Sequence, residues 1–448
     1  MRRSLIAVGL LACATGACRA GAQPGAVAAR PSPAAASALQ AARTGIRSTL
    51  DSLTSLPHMR NAQWGVLVID PALGDTLYAL NANRLLVPAS NQKIVTAAAA
   101  LAVLGPDFRF TTRLTSAAPV RDGTLEGDLV VFGTGDPSFC NQMRNGDAMA
   151  PLRELADSLR TLGIVRIDGA LRRGVSPFTD SPIGFGWAWD DLGTAYAATV
   201  GDLMFNDSYT PVRVVIEGAP DSSAVRRPAH AHFLDAFYAA LVERGITVRH
   251  GFDWNTTVAD SGLTPLITYV SPALREILPH FQKDSQNQVG EILLKTMGRV
   301  AAGAGRADSG AAVVSRQLVR WGVDSTGFII RDGSGLSRHN WLSASTIVRV
   351  LTVARGDSSF AAFSGALPVA GVDGTLERRM RGTVAAGNVR AKTGSMDRIR
   401  ALSGYVTTAG GRELAFAILI NGYTAPMREI DTAFDLVATQ LAALPLAR

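Results

Sequence analysis

Two apolar runs near the end of the chain, Arg400–Thr408 and Leu414–Asn421, flank the small residues Ala409-Gly410-Gly411. This spacing predicts a strong β-hairpin, and an amphipathic segment at 427–444 predicts a closing helix. The opening of the chain has matching elements. Residues 39–56 have helical periodicity, and Trp64–Ile69 and Thr76–Leu80 read as strands joined by Pro71-Ala72-Leu73-Gly74. A Pro88-Ala89-Ser90 step then leads into an Ala-rich helix to about Leu104. Between the two ends the texture changes. From 106 to 263 short β-like segments (Phe110–Leu114, Leu129–Phe132, Val212–Ile216) alternate with Gly/Asp/Pro turns, with helices expected at 151–162 and 231–244. Helical patterns return at 272–300, 308–321 and 343–354. The order implies an α+β fold, an antiparallel sheet flanked by helices and interrupted by an inserted, mostly β domain. The expected division is 39–105 and 264–448 for the interrupted domain and 106–263 for the insertion.

The first residues are Met1-Arg2-Arg3, then an apolar run from Leu5 to Ala12, then small residues. That run is too short to span a bilayer and fits a signal peptide over 1–22, cleaved after Ala20-Gly21-Ala22. Residues 23–38 read as a flexible leader. An exported, periplasmic protein is expected. Thr15-Gly16-Ala17-Cys18 and Leu10-Leu11-Ala12-Cys13 offer the alternative of lipid attachment and peripheral membrane association. Cleavage leaves Cys140 as the sole cysteine, so no internal disulfide forms and no Cys/His zinc framework is written in the spacing. Cys140 reads as a passive small residue. His230-Ala231-His232 is weak as a metal pair, because Arg226-Arg227 would repel a cation. No metal and no cofactor is expected.

Charge narrows the chemistry. Hydrophobic residues make up 47% and charged residues 18%, enough apolar matter for a large core. The net charge is +7, yet no basic run is interleaved with aromatics, and nucleic acid is not an expected partner. Of 44 basic residues, 40 are Arg; only Lys93, Lys283, Lys295 and Lys392 are Lys. Lys can lose its proton when desolvated and Arg in practice cannot.

Two of the four lysines sit in motifs. Ser90-Asn91-Gln92-Lys93 puts Ser and Lys on one helix face. A Ser hydroxyl needs a base, and a partly buried Lys at a helix start can be one. Lys392-Thr393-Gly394 falls on an expected strand before the hairpin, offering a cation and a hydroxyl to a carboxylate, with a glycine that lets a ligand approach the backbone. Ser285-Gln286-Asn287 opens the helix ending near 300. S-x-x-K, S-x-N and K-T-G are each weak, but each occurs once, in this order. Together they are the signature of penicillin-binding proteins and serine β-lactamases.

The chain resembles the D-alanyl-D-alanine carboxypeptidase/endopeptidase family, the class C low-molecular-mass penicillin-binding proteins of the penicillin-binding protein 4 type. Gly133-Thr134-Gly135-Asp136-Pro137, Trp187-Ala188-Trp189-Asp190-Asp191, Asp332-Gly333-Ser334-Gly335-Leu336-Ser337-Arg338 and Leu367–Leu376 carry the likeness beyond the three motifs. The resemblance implies a serine β-lactamase/transpeptidase-like domain, and peptidoglycan peptides as substrates. It implies β-lactam antibiotics as acylating inhibitors. It also implies roles: Ser90 as nucleophile, Lys93 as base, Ser285 as proton relay, Asn287 on the substrate amide, and Lys392 and Thr393 near the substrate carboxylate. Gly394 and Ser395 would border the substrate, the backbone N–H groups of Ser90 and Ser395 forming the oxyanion hole. Asp191, Arg338 and Met396 would line the pocket for the free end of a diaminopimelate-type side chain. The competing reading of Asp191 and Arg338 is a structural salt bridge, and Asp136 and Asp332 read as turn formers. The alternatives in function are a serine β-lactamase, against which the long insertion argues, and a non-catalytic penicillin-binding or wall-binding protein, against which the intact motifs argue.

Overall fold

The computed structural model describes residues 33–208 and 228–447. The signal-peptide and lipid-attachment readings, and the expected strand Val212–Ile216, lie outside the described residues.

The two ends of the chain meet in one antiparallel sheet. Its strand order is Arg390–Met396, Ile399–Thr407, Glu413–Asn421, Gln63–Ile69, Thr76–Leu80. The C-terminal hairpin is therefore central, with Trp64 opposite Ile420 and Gln63 opposite Asn421. Side chains alternate along Glu413–Asn421. Leu414, Phe416, Ile418 and Ile420 face one layer, packed with helices Pro33–Thr54 and Met427–Ala443. Ala415, Ala417 and Leu419 face the other. The small residues on that side let helix Ala344–Arg355 lie close to the sheet. Burial on both faces explains why the hairpin is apolar at nearly every position. Behind Ala344–Arg355 lie Gln92–Leu104, Leu274–Lys283 and Asn287–Ala302.

The insertion holds a second five-stranded sheet, ordered Phe252–Val258, Leu171–Gly174, Leu129–Gly133, Thr111–Ser116, Thr264–Val270. Its own core includes helices Ala150–Thr161 and Ala229–Glu243. The sequence division at 263/264 cuts this sheet. Thr264–Val270 pairs antiparallel with Thr111–Ser116, so the inserted sheet runs to 270. Its alternation is poor, because most of its residues are half-exposed at a sheet edge, and that weakens the strand signal.

The helix expected over 272–300 is in fact two. Leu274–Lys283 ends at Asp284, Ser285 takes a left-handed φ of 60°, and Gln286 caps the next helix by accepting from the Gln288 N–H. This break lifts Ser285 out of the helix and puts it on a turn facing the sheet edge.

Candidate active site

Three segments converge at the edge strand Arg390–Met396. Ser90 sits in a short 3-10 turn, Ala89–Asn91, just before helix Gln92–Leu104. The Asn91 side chain donates to the Lys392 carbonyl at 2.9 Å and ties this turn to the strand. Ala89 has a φ of 46°, and Gly335 packs directly on it at a φ of 85°. A Cβ on Gly335 would collide with the Ala89 carbonyl oxygen. A Cβ on Gly394 would likewise meet the Pro88 carbonyl oxygen at 2.7 Å. The glycine of K-T-G thus serves the close approach of the strand and the Ser90 turn, where the sequence suggested only a ligand.

Lys93 is fully buried. Its Nζ lies 2.9 Å from Ser90 Oγ, 2.6 Å from Asn287 Oδ1 and 2.7 Å from the Ser334 carbonyl. Burial pushes its pKa down to about 7, against the opposing pull of Asp332 and Glu291. Glu291 is itself driven up to about 8, by burial and by Asp332. Its Oε1 accepts from the Gly333 and Ser334 N–H groups.

Lys392 is also fully buried, with Nζ 2.9 Å from Ser285 Oγ and 3.2 Å from the Thr393 carbonyl. Burial, then the Lys93 charge, push its pKa well below the ordinary lysine value. Two ammonium groups in one buried pocket repel, which disfavours charging both amines together.

The two lysines lie beneath a cleft of about 480 Å³. Ser90, Ser285, Asn287, Thr393 and Ser395 line its floor, and Asp191, Arg338 and Met396 line it too. Asp191 and Arg338 form no ion pair with each other. Asp191 accepts from the Tyr196 hydroxyl at 3.1 Å, and Arg338 reaches only the Asp397 carbonyl at 3.5 Å. Asn287 Nδ2 donates to the Tyr196 carbonyl, which fixes the amide orientation. Asp136 keeps to a turn, accepting from the Ser138 N–H.

Other residues of the site carry no motif signal. Asp332 is wholly buried and accepts from the N–H groups of Gly335 and Ser337, Asn340 Nδ2 and Trp187 Nε1. It shapes the loop whose Ser334 carbonyl meets Lys93. Thr375 accepts from the Thr393 hydroxyl at 2.8 Å. The two lysines outside the motifs form ion pairs. Lys283 pairs with Asp373, two residues before Thr375, and Lys295 pairs with Asp180 and the Ser181 carbonyl.

Comparison with known proteins identifies relatives of the whole chain. A model of the D-Ala-D-Ala carboxypeptidase 3 (S13) family matches residues 46–233 and 216–441. The chain is 35% identical over 463 residues to a D-alanyl-D-alanine carboxypeptidase from an Actinomadura species, covering 88% of this chain and 84% of the relative. Identity to the Haemophilus influenzae D-alanyl-D-alanine carboxypeptidase DacB is 27%, over 79% of this chain and 84% of the relative. The solved structure of penicillin binding protein 4 (dacB) from Haemophilus influenzae shares the fold, with a TM-score of 0.72 at 24% identity over 89% of this chain and 97% of that one. A predatory peptidoglycan endopeptidase of Bdellovibrio bacteriovorus shares it at a TM-score of 0.53 and 18% identity, over 85% and 94%. From the unique S-x-x-K, S-x-N and K-T-G to the whole-chain match, the chain belongs to the D-Ala-D-Ala carboxypeptidase 3 (S13) family.

Proposed function

We propose that this protein is an exported serine D-alanyl-D-alanine carboxypeptidase, acting on peptidoglycan stem peptides through an acyl-enzyme on Ser90. The observation that carries the reading is the setting of the Lys93 amine. A neutral amine has two N–H groups and one lone pair. Asn287 Oδ1 and the Ser334 carbonyl take the two hydrogens, which leaves the lone pair for the Ser90 hydroxyl. With its pKa near 7, Lys93 is poised to take that proton.

Ser90 Oγ then attacks the carbonyl of the terminal D-Ala-D-Ala bond. The backbone N–H groups of Ser90 and Ser395 receive the oxyanion. The proton passes through Lys93, Ser285 and Lys392 to the departing amine, whose D-Ala carboxylate rests against Thr393. Water releases the shortened peptide. Asn287 keeps one amide N–H for the substrate backbone, and Asp191, Arg338 and Met396 receive the free end of the diaminopimelate-type side chain. β-Lactams acylate Ser90 by the same attack; a solved structure of the Haemophilus influenzae relative is of a β-lactam complex.

Incubation with a fluorescent penicillin tests the reading. A long-lived adduct, mapped by peptide mass to the Ser90 peptide, is expected. Fast turnover of the penicillin would point to a β-lactamase, and an adduct elsewhere or none would sink the serine mechanism. D-Ala release from a pentapeptide, set against cleavage of a crosslinked dimer, then separates carboxypeptidase from endopeptidase action.

The pH dependence follows with a definite sign. Lys93 is a base only when neutral, so acylation should rise as pH passes through about 7 and level off above it. A flat acylation rate between about pH 5 and 9 would remove Lys93 from the base role.

A further inference from the structure

Outside the cleft, the insertion and the helix before Ser285 meet through an unusual group of side chains. Cys140 is fully buried and Asp207 and His280 nearly so. Cys140 Sγ, an Asp207 carboxylate oxygen and an imidazole nitrogen of His280 all lie within 4.8 Å of one another. His280 Nε2 is 3.1 Å from Asp207 Oδ1. On the other side of the ring, Nδ1 is 2.8 Å from Asp284 Oδ2.

A ring nitrogen carries at most one hydrogen, and Asp207 already occupies the Nε2 position while the Cys140 thiol lies in the same buried cluster. Asp207 reaches that place at a cost: Asn206, Asp207 and Ser208 run at φ of 45°, 57° and 56°, three consecutive left-handed residues without a glycine. In a metal-bound form, with its hydrogen kept on Nδ1 and bound to Asp284, the imidazole would give the Nε2 lone pair to the ion. A carboxylate behind a histidine in this way is the usual outer shell of a metal ligand.

We propose that Cys140, Asp207 and His280 bind one divalent ion of the zinc class, clamping the insertion to the helix that leads into Ser285. Thiolate, imidazole and carboxylate together are a borderline-soft set that suits zinc, with a fourth position for water. Uptake sends the thiol and imidazole protons to solvent, so the net charge of the buried cluster is the same filled or empty. An open cavity of about 530 Å³ lies beside the cluster, lined by His280 and Asp284 among others. The set escapes sequence inspection because its members lie far apart along the chain, Asp207 and His280 by 73 positions.

The rival account is an imidazolium held between two carboxylates with no metal. Against burial, hydrogen bonds to Asp207, Asp284 and Cys140 push His280 up to about 12.

Metal analysis separates the two. The full chain is stripped with a chelator, dialysed against zinc chloride, and compared with Cys140→Ser, which keeps the other two cysteines. The wild type should retain close to one zinc per chain more than Cys140→Ser, and its Tm should rise by several degrees on zinc addition. Cobalt chloride should give a thiolate-to-cobalt band in the near ultraviolet that Cys140→Ser lacks. His280→Gln should lose the ion as well; if that variant fails to fold, the Cys140→Ser comparison alone decides. Equal zinc content in wild type and Cys140→Ser, or no cobalt band, overturns the proposal in favour of the imidazolium.

Discussion

Replacing Lys93 by Arg should lower the rate of penicillin acylation by roughly 10²–10⁴-fold, close to the level of Ser90→Ala. The substitution keeps the positive charge and removes the exchangeable proton, because a guanidinium does not deprotonate in proteins. It also breaks the local geometry. The Lys93 Nζ has three partners in a fully buried site, Ser90 Oγ, Asn287 Oδ1 and the Ser334 carbonyl. A planar, larger group cannot reproduce that convergence. Stopped-flow acylation with a chromogenic β-lactam reads the effect, and far-ultraviolet circular dichroism checks that the variant is folded. A folded Lys93→Arg that acylates at the wild-type rate would show that charge alone suffices and that the proton leaves Ser90 by another route.

Asp332→Ala should cost about 3–5 kcal/mol of folding stability and take most of the activity with it. Asp332 is wholly buried, and its two oxygens serve the Gly335 and Ser337 N–H groups, Asn340 Nδ2, Trp187 Nε1 and the Ser334 hydroxyl. Alanine leaves these donors without an acceptor in a dry interior, each at a desolvation cost of about 1–3 kcal/mol before relaxation. The loop they shape carries the Ser334 carbonyl, which binds Lys93, and Gly335, which packs on Ala89. Loss of the carboxylate therefore reaches both members of the Ser90–Lys93 pair. Urea denaturation measures the stability change and penicillin labelling the activity. A shift in the midpoint corresponding to less than about 1 kcal/mol would mean that water replaces the carboxylate without penalty.

The Asp332 case shows why a turn residue can look dispensable in a sequence. Its neighbours Gly333, Ser334 and Gly335 mark a turn, and a turn it is. What the pattern does not contain is the wall behind it. Gly333 meets Gly290 of helix Asn287–Ala302 so closely that a Cβ on either would clash with the other's backbone. That contact desolvates the whole loop, and an aspartate in a solvated turn becomes an organiser of the site. Glu291 is a similar case: as one acidic residue in an apolar helix it carries no motif, yet burial beside Asp332 drives it toward the neutral form. The expected unbroken helix over 272–300 misses for a related reason. Helical periodicity continues on both sides of Ser285, while the left-handed turn at Ser285 is sustained by contacts to Lys392, 107 positions away.

Sequence alone supplied the groups and the local elements: a hydroxyl, two amines and an amide in three motifs that each occur once, and a strong hairpin near the end of the chain. Those are properties of residue type and local period, and both are written in the chain. The scarcity of lysine located two of them and left Lys283 and Lys295 without a purpose. Tertiary structure supplied partners for both: Lys283 pairs with Asp373, two residues before the cleft residue Thr375, and Lys295 pairs with Asp180. It also decided which amines are desolvated, and how Asn91 and Lys392, 301 positions apart, lock the Ser90 turn to the edge strand. A pKa, a strained turn or a buried ligand set is a property of what surrounds a group, and those surroundings exist only once the distant segments have packed.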